Sequence, residues 1–295
     1  MSNAAAVFPR HGRVGVWCFD QHEPVLRGSV NAATGELDIV LDLFFSLRMH
    51  AHKLSLLRNA LAKPILPKAR DVVRLGYGPV DQALSEGLRR DACHEVFAPA
   101  GHETAATGFA AGLVMRLAGD KKVLWISEKF SWQEHGMPCP TGFFELGLDP
   151  TKVMFLSVDH AQDALRAAGD ALTCASLGAV MIEITGNPKV LDLTASRRLV
   201  LACAQSSVPV VLLRFNAVPQ TSAVETRWSV KAAPSALEAE HWGHPIFEVD
   251  LIRNRSGRTG QWVFAWSCDD GCFENAAAVF GTMVPTSTNR PAEAA

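Results

Sequence analysis

Four continuous apolar runs constrain this chain more than any other feature. Val123–Ser127 (VLWIS), Val153–Val158 (VMFLSV), Gly178–Ile184 (GAVMIEI) and Val208–Phe215 (VPVVLLRF) are each long enough for one strand. None alternates with polar residues, so each has the pattern of a strand buried on both faces. Between them lie helical stretches at Pro140–Leu146, the Ala-rich Asp163–Ala175 and Leu193–Gln205. Strands separated by helices make successive βαβ units, hence a parallel sheet with helices on both faces. A shorter strand, Cys93–Ala98, precedes them and leads into a small-residue helix over Thr104–Leu117, which Gly119 ends.

Beyond residue 222 the character changes. Glu225–Lys231, Ile246–Arg253 and Gln261–Trp266 alternate as strands joined by turns with Gly257 and Gly260, an antiparallel extension of the sheet edge. Residues 1–53 form a poorly defined N-terminal segment, with strand character at Gly12–Trp17 and helical character at 38–48 and 49–62. One reading places the native start at Met49, which the intact mass of the natively expressed protein would decide. The main domain spans 54–266, and 267–295 reads as a flexible tail.

Composition narrows function. Net charge is −2, so the chain is not one that grips phosphate backbones over its whole surface; DNA contact is expected to be weak or indirect. The start lacks an apolar run after its charges and no apolar stretch reaches bilayer length, so a cytoplasmic protein without a membrane partner is expected. Seven scattered cysteines make no disulfide framework. Cys268 and Cys272 lack the second pair of ligands that zinc usually takes, so no metal is expected.

In an open α/β sheet, ligands sit where strands end and helices begin. The first such place is Phe97 to Gly108. A phosphate-binding loop needs glycines that let backbone N–H groups wrap phosphates, a Lys that bridges the outer two, and a hydroxyl that holds magnesium. Here Ala98 stands at the first glycine position, Glu103 at the second, Thr104 at the Lys and Ala105 at the Ser/Thr, with Gly101 between; no Gly-Lys dipeptide occurs anywhere. Glu103 complements the helix dipole by about 0.3–1 kcal/mol and puts negative charge where a phosphate would sit. No nucleotide, cofactor or catalytic residue is therefore expected. Read on its residues alone, this loop could also be an ordinary strand–turn–helix.

Upstream lies Leu75–Leu84 (LGYGPVDQAL), then Gly87–Arg90 and Cys93–Val96. This lead-in, the strand at Val123–Glu128, the segment Gly147–Pro150 and the strand Gly178–Glu183 are similar, in that order, to RecA-family proteins. Within that superfamily the chain resembles the ImuA family. The pieces that carry the likeness are His94–Val96, Ala105–Phe109, Leu191–Leu199, Ser222–Trp228 and Leu251–Gly260, within residues 54–266. The resemblance implies a RecA-like core. It also implies a role in SOS-induced, error-prone translesion synthesis, with an ImuB-like protein, an error-prone polymerase and RecA itself as partners. By the same resemblance Glu128 stands where the family's water-activating Glu lies, and Glu183 where its metal-associated acid lies. Both are read as vestigial acids facing the loop. The segments after Glu183 and Phe215 look short against RecA's DNA-contacting loops. Two alternatives are an SOS cell-division inhibitor of the SulA kind and a divergent DNA-dependent ATPase or recombinase.

Partner or DNA contact is assigned to Arg197 and Arg198 on one helix and to Arg253, Arg255 and Arg258 around a Gly-containing turn. Plainer readings are a solvated guanidinium beside a buried stem, and a charged edge strand that resists aggregation. Trp228 and Trp242, in less regular sequence than Trp125, are read as interface anchors.

Overall fold

The computed structural model describes residues 71–235 and 243–276 in full, and the backbone of 5–10, 13–20 and 23–31. The helical stretches expected at 38–48 and 49–62, and Trp242, lie outside the described residues.

The apolar runs are strands. β6 (Cys93–Ala98), β7 (Lys122–Glu128), β8 (Val153–Val158), β9 (Leu177–Thr185) and β10 (Val210–Phe215) form a parallel core, in the order β6-β10-β9-β7-β8. On the far side of β8 stand β1 (Ala5–Arg10), β2 (Arg13–Asp20) and β3 (Glu23–Asn31), with β1 parallel to β8 and the rest antiparallel. A two-stranded pair, β4 (Val72–Val73) with β5 (Leu88–Arg89), stands apart from the main sheet.

On the other side, β11 (Thr226–Ala233) runs parallel to β6, and β12 (Ile246–Asn254), β13 (Gly260–Ser267) and β14 (Cys272–Asn275) continue antiparallel. The expected α/β class, a mostly parallel sheet with helices on both faces and antiparallel C-terminal strands, is borne out. Two boundaries differ. The sheet turns antiparallel at β12, one strand later than expected. The flexible tail expected from residue 267 gives way to β14, whose Phe273 is buried in the core.

Helix α1 (Gly78–Ala83) precedes the sheet; α2 (Glu103–Ala118), α3 (Lys129–His135) and α4 (Pro140–Glu145) follow, then α5 (Ala161–Ala171) and α6 (Leu193–Ser206). One face of the sheet packs on α2, whose Phe109 meets Trp228, Phe247, Phe264 and Phe273 at ring distances of 5.2–6.0 Å. Helix α2 is pressed close enough that a Cβ on Gly112 would lie 2.8 Å from Trp266. The other face buries Val180, Ile182, Val210 and Leu212 under Ala164, Ala168, Leu199 and Cys203 of α5 and α6. Asp192 caps α6 by accepting from the Ala195 N–H at 2.7 Å.

Candidate functional site

The loop from β6 to α2 is four residues long, Pro99 to His102, and α2 begins at Glu103, one residue earlier than expected. Gly101 makes the turn at φ +82°. Its N–H, which a bound phosphate would take in a working loop, donates to Glu103 Oε1 at 3.2 Å. Thr107 donates its hydroxyl to the Glu103 carbonyl, and His102 Nδ1 accepts from the Ala232 N–H at 3.2 Å. Thr104 and Ala105 offer no cation in the first turn.

The two acids at the ends of β7 and β9 part company. Glu183 points to the α2 side, is 2% exposed, and accepts from Trp125 Nε1 at 3.0 Å and from the Ser131 hydroxyl. Glu128 alternates to the opposite face with Ile126 and accepts from the Thr185 N–H at 3.0 Å. Burial pushes both carboxyls up from their ordinary value, against the hydrogen bonds that hold their charge. The expectation that both face the loop is therefore corrected. The pleat of the sheet separates them, and they share no site. Among the described residues no group of three His, Cys, Asp or Glu side chains could hold a metal ion.

Sequence reasoning missed a buried ionic cluster. Glu95 of β6 accepts from Arg214 of β10 at 3.2 Å and from Arg227 of β11 at 2.8 Å, and all three side chains are buried. Both guanidinium carbons lie 5.6 Å from the centroid of the Phe97 ring. Arg214 goes on to the Gly186 carbonyl and Asn187, and Arg227 to the Gln220 carbonyl and Ser222. Glu95 thus fixes the loops that follow β9 and β10 at once.

That second loop gathers more arginines. Arg253 donates to the Ser222 carbonyl at 2.8 Å and Arg255 to the Ala223 carbonyl at 3.1 Å. The Ala223 N–H in turn donates to Ser196 Oγ on α6 at 3.1 Å, one residue from Arg197. Arg197, Arg253 and Arg255, which the sequence placed in two separate groups, therefore border one region. Arg198 does not join them. It lines a groove of about 640 Å³ between α5 and α6, with Leu165, Arg166 and Val190. Arg258 is exposed at the β12–β13 turn, where its N–H donates to the Ala83 carbonyl. Arg197 and Arg198 are both exposed.

Trp228 is corrected from interface anchor to core residue. It is 0% exposed, packs on Phe109, and donates its Nε1–H to Thr226 Oγ1 at 2.8 Å. The same hydroxyl lies 2.8 Å from His94 Nδ1, and His94 Nε2 lies 2.8 Å from the Arg89 carbonyl. A carbonyl only accepts, so Nε2 carries the proton and Nδ1 accepts from Thr226.

Burial holds His94 below its ordinary value of 6.5, with the Arg89 carbonyl pulling the other way. The unfolded chain therefore binds a proton near 6.5 that the folded chain refuses until lower pH. Stability from His94 is complete above that value and drains away below it, by at most about 1.4 kcal/mol per pH unit. Glu128 and Glu183, raised from 4.5, give the opposite slope just above that value. Urea melts from about pH 7 to about pH 5 should show the decline in the parent and a shallower one in His94→Gln; equal slopes would remove His94 as the cause.

No family model matches the chain. Protein ImuA of Caulobacter vibrioides strain NA1000 / CB15N is 30% identical over 134 residues, 41% of this chain and 53% of that protein; Protein ImuA of strain ATCC 19089 / CIP 103742 / CB 15 matches equally. The chain spans about half the length of the curated relatives it matches. Among solved structures, the RadB recombinase aligns with a TM-score of 0.48 at 15% identity, covering 67% of this chain and 97% of that one. The resemblance to the ImuA family drawn from ordered motifs is borne out by the two curated relatives.

Proposed function

We propose that this chain is a non-catalytic, RecA-like accessory protein of damage-induced, error-prone translesion synthesis, acting through contacts with other proteins. The likeness to Protein ImuA supports the setting. The observation that carries the non-catalytic reading is the Glu103 carboxylate on the Gly101 N–H, at the point where a phosphate would need that donor. Binding there would have to break this bond and bring two like charges together with no Lys to neutralise them. Glu183, which could have supported a metal-bound water, has its oxygens engaged by Trp125 and Ser131. In this reading the partners are an ImuB-like protein, the error-prone polymerase and RecA, DNA is touched weakly or through them, and the protein works in the cytoplasm. No helix among the described residues is long and apolar enough to cross a membrane.

Calorimetric titration with magnesium-ATP should give no saturable heat at millimolar nucleotide, and single- or double-stranded DNA should elicit no phosphate release. Saturable binding together with DNA-stimulated hydrolysis would sink the proposal. A positive arm uses purified ImuB-like protein and polymerase, which should co-elute with this chain in the absence of nucleotide.

A further inference from the structure

A cleft of about 280 Å³ opens between α6 and the β12–β13 turn, lined among others by Arg89, Asp91, Val200, Ala204, Glu225 and Arg255. Its acids are already engaged: Asp91 takes Arg89 in two bonds of 2.9 Å, and Glu225 accepts from the Ser256 hydroxyl and lies 3.8 Å from Arg89. The rim is more basic than the floor. Arg197 is three residues before Val200 and seven before Ala204, which puts it on the same side of the helix. Leu201, 62% exposed, follows Arg197 by four residues on that side. Arg253 and Arg255 approach from β12 through their bonds to the loop at 222–223. Arg253 is half-buried; burial and then the Arg227 and Arg255 charges lower its pKa. Arg89 is held by Asp91 and Glu225, and with Arg255 in the lining and Arg197 and Arg253 beside it the four guanidiniums exceed the two carboxylates by two, next to an exposed leucine.

We propose that this cleft is a docking surface for a short segment of another protein that carries Asp or Glu carboxylates next to an apolar residue. The carboxylates would sit on Arg197 and Arg255, the apolar residue against Leu201, Val200 and Ala204. Charge complementarity selects an acidic occupant. One feature favours peptide over nucleic acid: none of the side chains that line the cleft is an aromatic platform on which a base could stack. The inference rests on the reading that the chain works by protein contact, and assigns that contact a place.

The test is fluorescence anisotropy on the full chain with three labelled probes: a peptide of Glu and Leu, its Gln and Leu counterpart, and single-stranded DNA of equal length. The Glu–Leu peptide should bind, weaken with salt, and outcompete both others. Arg197→Glu with Arg255→Glu should weaken it roughly tenfold or more, and Leu201→Ser several-fold. Arg198→Glu, in the neighbouring groove, should leave it unchanged. Arg197→Glu alone alters no hydrogen bond of the 222–223 loop, so a loss there is not a loss of fold; melting curves of all variants check this. Absence of peptide binding, equal binding by the double variant, or preference for DNA each overturns the proposal. Those failures leave the accessory role standing if ATP still does not bind, whereas ATP hydrolysis would remove that role whatever the peptide does.

Discussion

Glu95→Gln should cost about 3–5 kcal/mol of folding free energy, the range for breaking a buried ion pair and leaving its partner charged. The variant keeps the shape of the side chain and removes the one carboxylate that Arg214 and Arg227 share. Side-chain exposures of 4%, 5% and 9% for the three residues leave little solvent to screen what remains. The measurement is the urea midpoint at neutral pH, with the slope of the transition as a check on two-state behaviour. Changing Glu95, Arg214 and Arg227 together to Leu, Met and Met should cost less than the single change, since no charge is then stranded. A single-variant loss below about 1 kcal/mol would mean that the carbonyls of Gly186 and Gln220 suffice for the guanidiniums.

Phe109→Ala should cost a similar amount, about 3–5 kcal/mol, for a different reason. Phe109 is fully buried on α2 and touches four aromatic rings drawn from β11, β12, β13 and β14. Truncation removes its transfer free energy and leaves a cavity walled by rigid rings that cannot collapse inward. Thermal melting should show the loss, and Phe109→Leu should recover part of it. A cost under about 1.5 kcal/mol would indicate that the antiparallel strands hold together without α2.

The parallel core was legible because burial on both faces leaves a signature in consecutive residues: the apolar runs at 178–184 and 208–215 fall on β9 and β10, whose residues are nearly all buried. Helix α3 was not, since its seven residues bury only Ser131 and Trp132 and carry no repeat. Trp228 was misjudged, although the signal was present. In Thr226–Ala233 the residues Thr226, Trp228 and Val230 alternate with Arg227, Ser229 and Lys231, so Trp228 belongs to the face of the buried Val230. The Glu95 cluster left no local trace, because its members lie 119 and 132 residues apart and only strand order makes them neighbours. The same holds for Ser196, beside Arg197, and Arg255, joined through Ala223.

The position of β6 has a consequence for synthesis of the chain. It is the first strand of the parallel core to leave the ribosome, yet it stands between β10 and β11, which emerge more than a hundred residues later. Until translation has passed Phe215, both hydrogen-bonding edges of Cys93–Ala98 lack their permanent neighbours and Glu95 lacks both cations; until it has passed Ala233, the β11 edge is still incomplete. Such high contact order makes folding slow and leaves an apolar strand open to wrong partners. A nascent chain halted before Thr226 should depend on chaperones and be cleared by proteases, while one halted after Ala233 should acquire protection around β6.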